Sequence, residues 1–385
     1  MDNWTKFGIV LFLFWASVHY GGKSYLNSVH YLFATGNIRY AVVLLLLGLN
    51  TLTNLLLMEL EDLLFPSLAK YTFDESNQIV FIMGHPRSGT TNLHKAVSSL
   101  ETCTTGLYFD ILCPSLIIKF CFAWLIPLVD FLYLKFSGHN VPNHQLGMKE
   151  ELEEHLIIGL QAESELISFY LFPPVGACRD LVREMVNPNE RNMRFVKKVM
   201  ARIFYHRGLT EKNLMYIGCP LGFSIDPKFI ETQFPNAKFV ICVRDPVDAI
   251  PSYIDLVTAM TRQPYDKQFR YNFNIYYELF CTNVYKALAD ATETIDKDKI
   301  FWLDFEDWKA DNTKQLKLIW EFLGLTEASQ QKQESDLKKA LARTRRHKNR
   351  PESYEVIDAE RIKKELNPYY EIMKKRCVTD SGRAV

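Results

Sequence analysis

The stretch Ile79–Leu100, IVFIMGHPRSGTTNLHKAVSSL, reads as strand, tight loop and helix in one run. Ile79–Met83 is a short, uninterrupted apolar segment of the kind that fills a buried parallel strand. Gly84-His85-Pro86-Arg87-Ser88-Gly89 is the loop, and Thr90-Thr91 opens the helix. Leu93, Ala96, Val97 and Leu100 then fall at i, i+3, i+4 and i+7, which gives that helix one apolar stripe. A strand that turns through glycines into a helix N-terminus brings free N–H groups and the positive dipole end together, so the segment predicts an anion site. The glycine spacing is that of a triphosphate loop, but Thr90 stands where that loop needs its lysine, and the cation sits earlier, at Arg87. A single 5′-phosphate group suits this arrangement better than a triphosphate.

Further along, strands are predicted at Leu214–Ile217, Ala237–Val243 and Ile300–Leu303, with an amphipathic helix at Lys314–Leu323 stopped by Gly324. Alternating strands and helices imply an α/β fold with a P-loop-like parallel sheet flanked by helices on both faces. Arg244-Asp245-Pro246 follows the third of these strands at once, Pro246 suits a first helical turn, and Ser252 lies about two turns on.

Pro86-Arg87-Ser88-Gly89-Thr90-Thr91 resembles the phosphosulfate loop of sulfotransferases, in the branch that writes PRSGTT. Arg244 with Ser252 is similar to that family's 3′-phosphate site. The resemblance covers roughly residues 79–370 and implies 3′-phosphoadenosine 5′-phosphosulfate (PAPS) as sulfuryl donor, 3′-phosphoadenosine 5′-phosphate (PAP) as product, and a hydroxyl- or amine-bearing acceptor, with a lipid or a glycan as candidates. It assigns donor binding to Arg87, Ser88, Gly89, Thr90, Thr91, Arg244 and Ser252. Arg87 would also stabilise charge on the transferred group. The family uses His or Glu as the base, and the acidic run Lys149–His155 offers Glu151 and Glu154, one turn apart on one helical face. His85 is a further candidate, although it and His94, flanking the loop, read first as packing groups. One departure stands out. Relatives commonly carry a lysine before the proline that ends the middle strand, where this chain has Gly218-Cys219-Pro220. A catalytically inactive nucleotide-binding membrane protein is therefore the alternative, and a P-loop kinase a more distant one.

Before the loop, Ala41–Met58 is eighteen residues without a charge, and Phe7–Val18 is a shorter apolar run. These predict N-terminal hydrophobic helices ahead of the sheet, with Ala41–Met58 as a membrane span. The domain division expected is a membrane-associated segment over 1–70 and a sulfotransferase-like domain over 71–385. By the positive-inside rule a single span places the catalytic part across the membrane, in the Golgi lumen of a eukaryotic cell; a second span returns it to face the cytoplasm. Leu116–Phe136 is apolar but broken by Lys119, Pro127, Asp130 and Lys135, and suggests either interfacial helices with snorkelling lysines or a core helix pair that covers the sheet. Lys+Arg and Asp+Glu both number 45, so nothing in the charge balance calls for nucleic acid. The eight cysteines form no metal-type cluster, which argues against a metal site; Cys113, Cys121 and Cys242 read as buried thiols. The basic helix over 187–212 is expected to expose most of its cations.

Overall fold

The computed structural model describes residues 50, 53–73, 78–100, 102–128, 148, 150–151, 190–209, 215–218, 226–261, 277, 281–325, 335, 338 and 358–381. Five strands pair in parallel in the order β2-β3-β1-β4-β5. They are β1 Ile79–Gly84, β2 Cys103–Thr104, β3 Met215–Gly218, β4 Lys238–Val243 and β5 Ile300–Asp304. Four of them are the apolar runs expected from sequence; β2 is too short to carry a periodic signal and exists by pairing with β3.

Alternate residues of each central strand face opposite sides, and each side has its own core. Phe81, Met83, Phe239, Ile241 and Trp302 face one, with α3 (Glu190–Arg207), α5 (Thr282–Thr294) and the long C-terminal helix α8 (Ala359–Ser381). Val80, Ile82, Val240, Cys242 and Leu303 face the other, with α2 (Thr90–Ser98) and α7 (Asn312–Leu323). The predicted stripe of α2 is buried there as expected: Leu93, Ala96, Val97 and Leu100 are all in the core. Helix α7 ends where Gly324 turns left-handed at φ 74°, as its position after Leu323 predicts. Helices therefore cover both faces, and one of the contacting ones, α8, begins at Ala359, far beyond the last strand, which ends at Asp304.

The chain order reverses between β1 and β4, which lie side by side although β2 and β3 intervene in sequence. In open parallel sheets such a reversal leaves a crevice beyond the carboxyl ends of the strands, where ligands bind. The loops that leave β1 and β4 are the two singled out by sequence.

The N-terminal expectation is met by the structure only at its end, since most of Ala41–Met58 lies outside the described residues. That end enters helix α1 (53–64), where Leu55 and Met58 are buried and the buried Asn54 amide donates to the Leu112 carbonyl (3.1 Å). Among the described residues no helix is long and apolar enough to cross a membrane. The C-terminal end of α1 is acidic and pairs with cations of α3. Glu61 is fully buried and takes Arg202 Nε at 2.8 Å, Ser115 Oγ at 2.6 Å and the Ile117 N–H at 2.9 Å. Arg202, also fully buried, reaches Asp62 and the Met58 carbonyl, both at 2.7 Å. Arg202 is thus a fully buried exception to the expectation of a basic helix that exposes most of its cations. Lys119 does not snorkel either; it is buried against Asp110 at 2.8 Å. Of the three cysteines read as buried, Cys242 is, Cys113 is half-buried and Cys121 is exposed.

Breaking a buried ion pair strands its partner without compensation, at about 3–5 kcal/mol. Arg202→Met should therefore lower unfolding free energy by about that amount in a denaturant titration. Lys198→Met, which removes the more exposed bridges to Glu59 and Asp62, should cost under about 1 kcal/mol.

Candidate anion-binding and transfer site

The β1 loop and the β4 loop are fused by backbone proximity. Gly84 and Cys242 are register partners at the ends of the two strands. A Cβ on Gly84 would stand 2.6 Å from the Cys242 carbonyl oxygen, a distance no side chain tolerates, so glycine is obligatory there. Gly89, at φ 91°, begins α2, and a Cβ on it would press on the Phe305 ring at 3.1 Å. Between them Arg87 adopts φ 75°, the only described non-glycine residue with positive φ. Such a conformation costs about 1–3 kcal/mol and persists only where the surroundings enforce it. Ser88 enforces it from within: its hydroxyl donates to the His85 carbonyl at 2.5 Å and its N–H to the same oxygen at 3.0 Å. Arg244 enforces it from outside, since its Nη1 donates to the Arg87 carbonyl at 2.6 Å.

The same residues form one cationic cluster. Arg87 Nε donates to Ser252 Oγ at 3.1 Å, so the predicted 5′ and 3′ residues are brought into contact. Arg244 lies flat on the Phe305 ring, 4.3 Å from its centroid, and its carbonyl accepts from the Tyr285 hydroxyl at 2.9 Å. Its Nε is buried and donates to nothing among the described residues. Asp245 caps the next helix, α4 (Pro246–Thr261), through the Val247 N–H at 2.8 Å, with Pro246 at its first position. That cap carries Ser252 back toward the β1 loop. Thr90 is buried at the start of α2 and Thr91 is half-exposed beside it. The structure thus gathers Arg87, Ser88, Gly89, Thr90, Arg244 and Ser252 in one crevice.

His85 does not act as a base here. Its Nδ1 donates to the Pro86 carbonyl at 2.7 Å, its ring stacks on Tyr285 at 5.2 Å, and Nε2 meets Cys281 Sγ at 3.4 Å. Burial, with Arg244 close by, outweighs the Pro86 bond and lowers its pKa from 6.5 to about 3. It is a neutral packing group. His94 is also buried in packing, with its Nε2 at 2.9 Å from Thr105 Oγ1 and 3.1 Å from the Ile217 carbonyl.

Of the two acidic candidates, Glu151 is buried and bridges antiparallel to Leu107, with its carboxylate 3.9 Å from Lys95 Nζ. Lys95 also pairs with Glu150. Thr91 and Lys95 are one turn apart on α2, so Glu151 sits beside the phosphate-loop helix, a turn below its first residues. Glu154 lies outside the described residues, as do Cys219 and Pro220. Gly218 is buried at the end of β3 beside Phe81, and offers no cation. Tyr285, Phe305 and Lys95 had no local signal in sequence. Each earns its place through a contact across the sheet or between loops.

Residues 190–329, which include Arg244 and Ser252, match the sulfotransferase family. Two curated relatives, the omega-hydroxy-beta-dihydromenaquinone-9 sulfotransferases Stf3 of Mycobacterium bovis and Mycobacterium tuberculosis, are 29% identical over 259 residues, 64% of this chain. The match spans 62% of their length. Two solved structures share the fold over 86% of this chain: sulfotransferase STF9 from Mycobacterium avium, with a TM-score of 0.68, 16% identity and 85% of its own chain covered, and sulfotransferase STF1 from Mycobacterium tuberculosis, with 0.65, 15% and 86%. Together these findings support a sulfotransferase family and match the observed parallel sheet.

Because His85 binds its proton only well below the unfolded value, the unfolded chain holds more protons between pH 6.5 and 3. The stability it contributes is present above pH 6.5 and falls with pH through that window, by up to about 1.4 kcal/mol per pH unit. His85→Phe should flatten that part of a pH series of thermal or urea unfolding curves.

Proposed function

We propose that the protein is a sulfotransferase that moves the sulfuryl group of PAPS onto a hydroxyl of an apolar, lipid-like acceptor. The observation that carries this reading is the meeting of the two anion loops, with Arg87, Arg244 and Ser252 joined in one crevice. The residues fit a doubly anionic nucleotide. Gly84 and Gly89 leave the backbone bare where a Cβ would clash, and Arg244 keeps a buried N–H unused. Bound there, PAPS would supply the activated sulfuryl group. Arg87, the Thr90 and Thr91 hydroxyls and the loop N–H groups would hold the 5′ end and neutralise charge as it gathers on the leaving oxygen. Arg244 and Ser252 would hold the 3′-phosphate through a planar fork and a hydroxyl.

Glu151 is the base we assign. It is within reach of the phosphate-loop helix and held near Lys95, and its carboxylate can take the proton of an acceptor hydroxyl. The curated relatives are named for a hydroxylated menaquinone derivative, which supports a hydroxyl on an apolar acceptor rather than on a glycan. Gly218 favours a second reading, a nucleotide-binding protein without turnover, because the cation expected before Pro220 is missing.

Calorimetry with PAP and with adenosine 5′-phosphosulfate separates the two loops. Arg244→Ala should weaken PAP about 10- to 100-fold. The loss for adenosine 5′-phosphosulfate should be smaller, arising only from the freed Arg87 carbonyl. Equal losses for both ligands would remove the 3′-phosphate assignment. Glu151→Gln should lower kcat by about 100- to 10,000-fold, followed as PAP release with an omega-hydroxylated isoprenoid quinone as acceptor, and leave PAP affinity unchanged. PAP binding by the unaltered chain without any turnover of PAPS would favour the inactive reading.

A further inference from the structure

Helix α1 buries Leu55, Met58 and Glu61 and leaves a second apolar row exposed: Leu56, Leu60, Leu63 and Leu64 repeat at i, i+4, i+7 and i+8 and are all exposed, Leu63 by 77%. The next segment adds Phe120 and Trp124, 66% and 73% exposed. Glu61 ties the two together, since it accepts from Ser115 and Ile117 at the start of the helix Leu116–Phe122 that carries Phe120. Phe120 in turn meets the His206 ring on α3 at 5.5 Å. The two elements that Glu61 fastens together therefore both present exposed apolar side chains, and apolar faces of this kind mark sites of association.

We propose that this face docks on the surface of a lipid bilayer. Three observations favour lipid over another protein surface. First, Glu59, Glu61 and Asp62 are each paired with a cation of α3, Arg202 or Lys198, so no acid of α1 is left unpaired to repel an anionic headgroup. Second, the face lies where apolar sequence enters and leaves it: residues 41–49 read AVVLLLLGL ahead of α1, and residues 128–136 read LVDFLYLKF after Trp124. Third, Trp124 satisfies its own indole N–H on the Cys121 carbonyl at 3.0 Å, which leaves the exposed ring free of a polar debt at an interface.

Flotation of the full chain with phosphatidylcholine–phosphatidylglycerol vesicles tests this. The unaltered protein should float. L63S/L64S/F120S/W124S, all at exposed positions, should lose at least about 10-fold in vesicle partitioning while its circular dichroism and PAP affinity stay unchanged. Should that variant not fold, Trp124→Phe in vesicles of brominated phosphatidylcholine gives the answer: it should still float but lose most of the fluorescence quenching. Undiminished flotation of the quadruple variant, or undiminished quenching in Trp124→Phe, would place any membrane contact elsewhere and overturn the proposal. An unaltered chain that sediments as a dimer and becomes a monomer on quadruple substitution would assign the face to a second copy instead.

Discussion

The close approach of β1 and β4 at Gly84 and Cys242 governs everything chemical in this molecule. Parallel pairing ends both strands at one edge, and the missing side chain at Gly84 lets the two exits meet at backbone distance. From there the Arg244 side chain reaches the Arg87 carbonyl and holds a non-glycine residue in a left-handed conformation. Neither loop is a complete anion site alone. The first has the helix N-terminus and one arginine; the second has an arginine and a serine on a capped helix. Their fusion turns two weak local signals into one cationic cluster.

A neutral wall backs this cationic cluster. Tyr285 stacks on His85 and donates to the Arg244 carbonyl, so one aromatic side chain braces both loops. His85 is kept uncharged by burial, which avoids a third positive charge beside Arg244. Phe305 lies under the guanidinium and against Gly89, and directs the fork into the crevice. Bracing of this kind would serve the proposed transfer, in which donor and acceptor must be held in line and a small misplacement is expensive in rate.

Away from the crevice the chain solves a different problem, how to attach an apolar N-terminal helix to the sheet's flank. It does so with charge. Glu61 and Arg202 are both fully buried, and the carboxylate is saturated by a guanidinium, a hydroxyl and a backbone N–H. A buried pair of this kind adds little to net stability but fixes geometry, since any other orientation of α1 would strand both charges. The orientation it fixes buries Leu55 and Met58 and turns Leu56, Leu60, Leu63 and Leu64 outward.

The sequence by itself determined the elements whose signal is local. Four apolar runs gave four strands, Leu93, Ala96, Val97 and Leu100 gave the buried face of α2, and PRSGTT with Arg244 and Ser252 marked the crevice residues. These could be read because strand burial, helix periodicity and glycine turns depend on neighbours within a few positions. What only the tertiary structure decided depends on distant partners. Arg202 looks like any other cation of α3 until Glu61, 141 residues earlier, is seen opposite it. Lys119 reads as a snorkelling lysine until Asp110 receives it in the interior. In the run ending at Met58 polarity misleads about which side meets protein, because Asn54 is buried with its amide on the Leu112 carbonyl; the acids at Glu59, Glu61 and Asp62 choose the face only once their cations are in place. His85, finally, is chemically a base in sequence and a neutral spacer in the fold, because burial outweighs its single hydrogen bond to the Pro86 carbonyl.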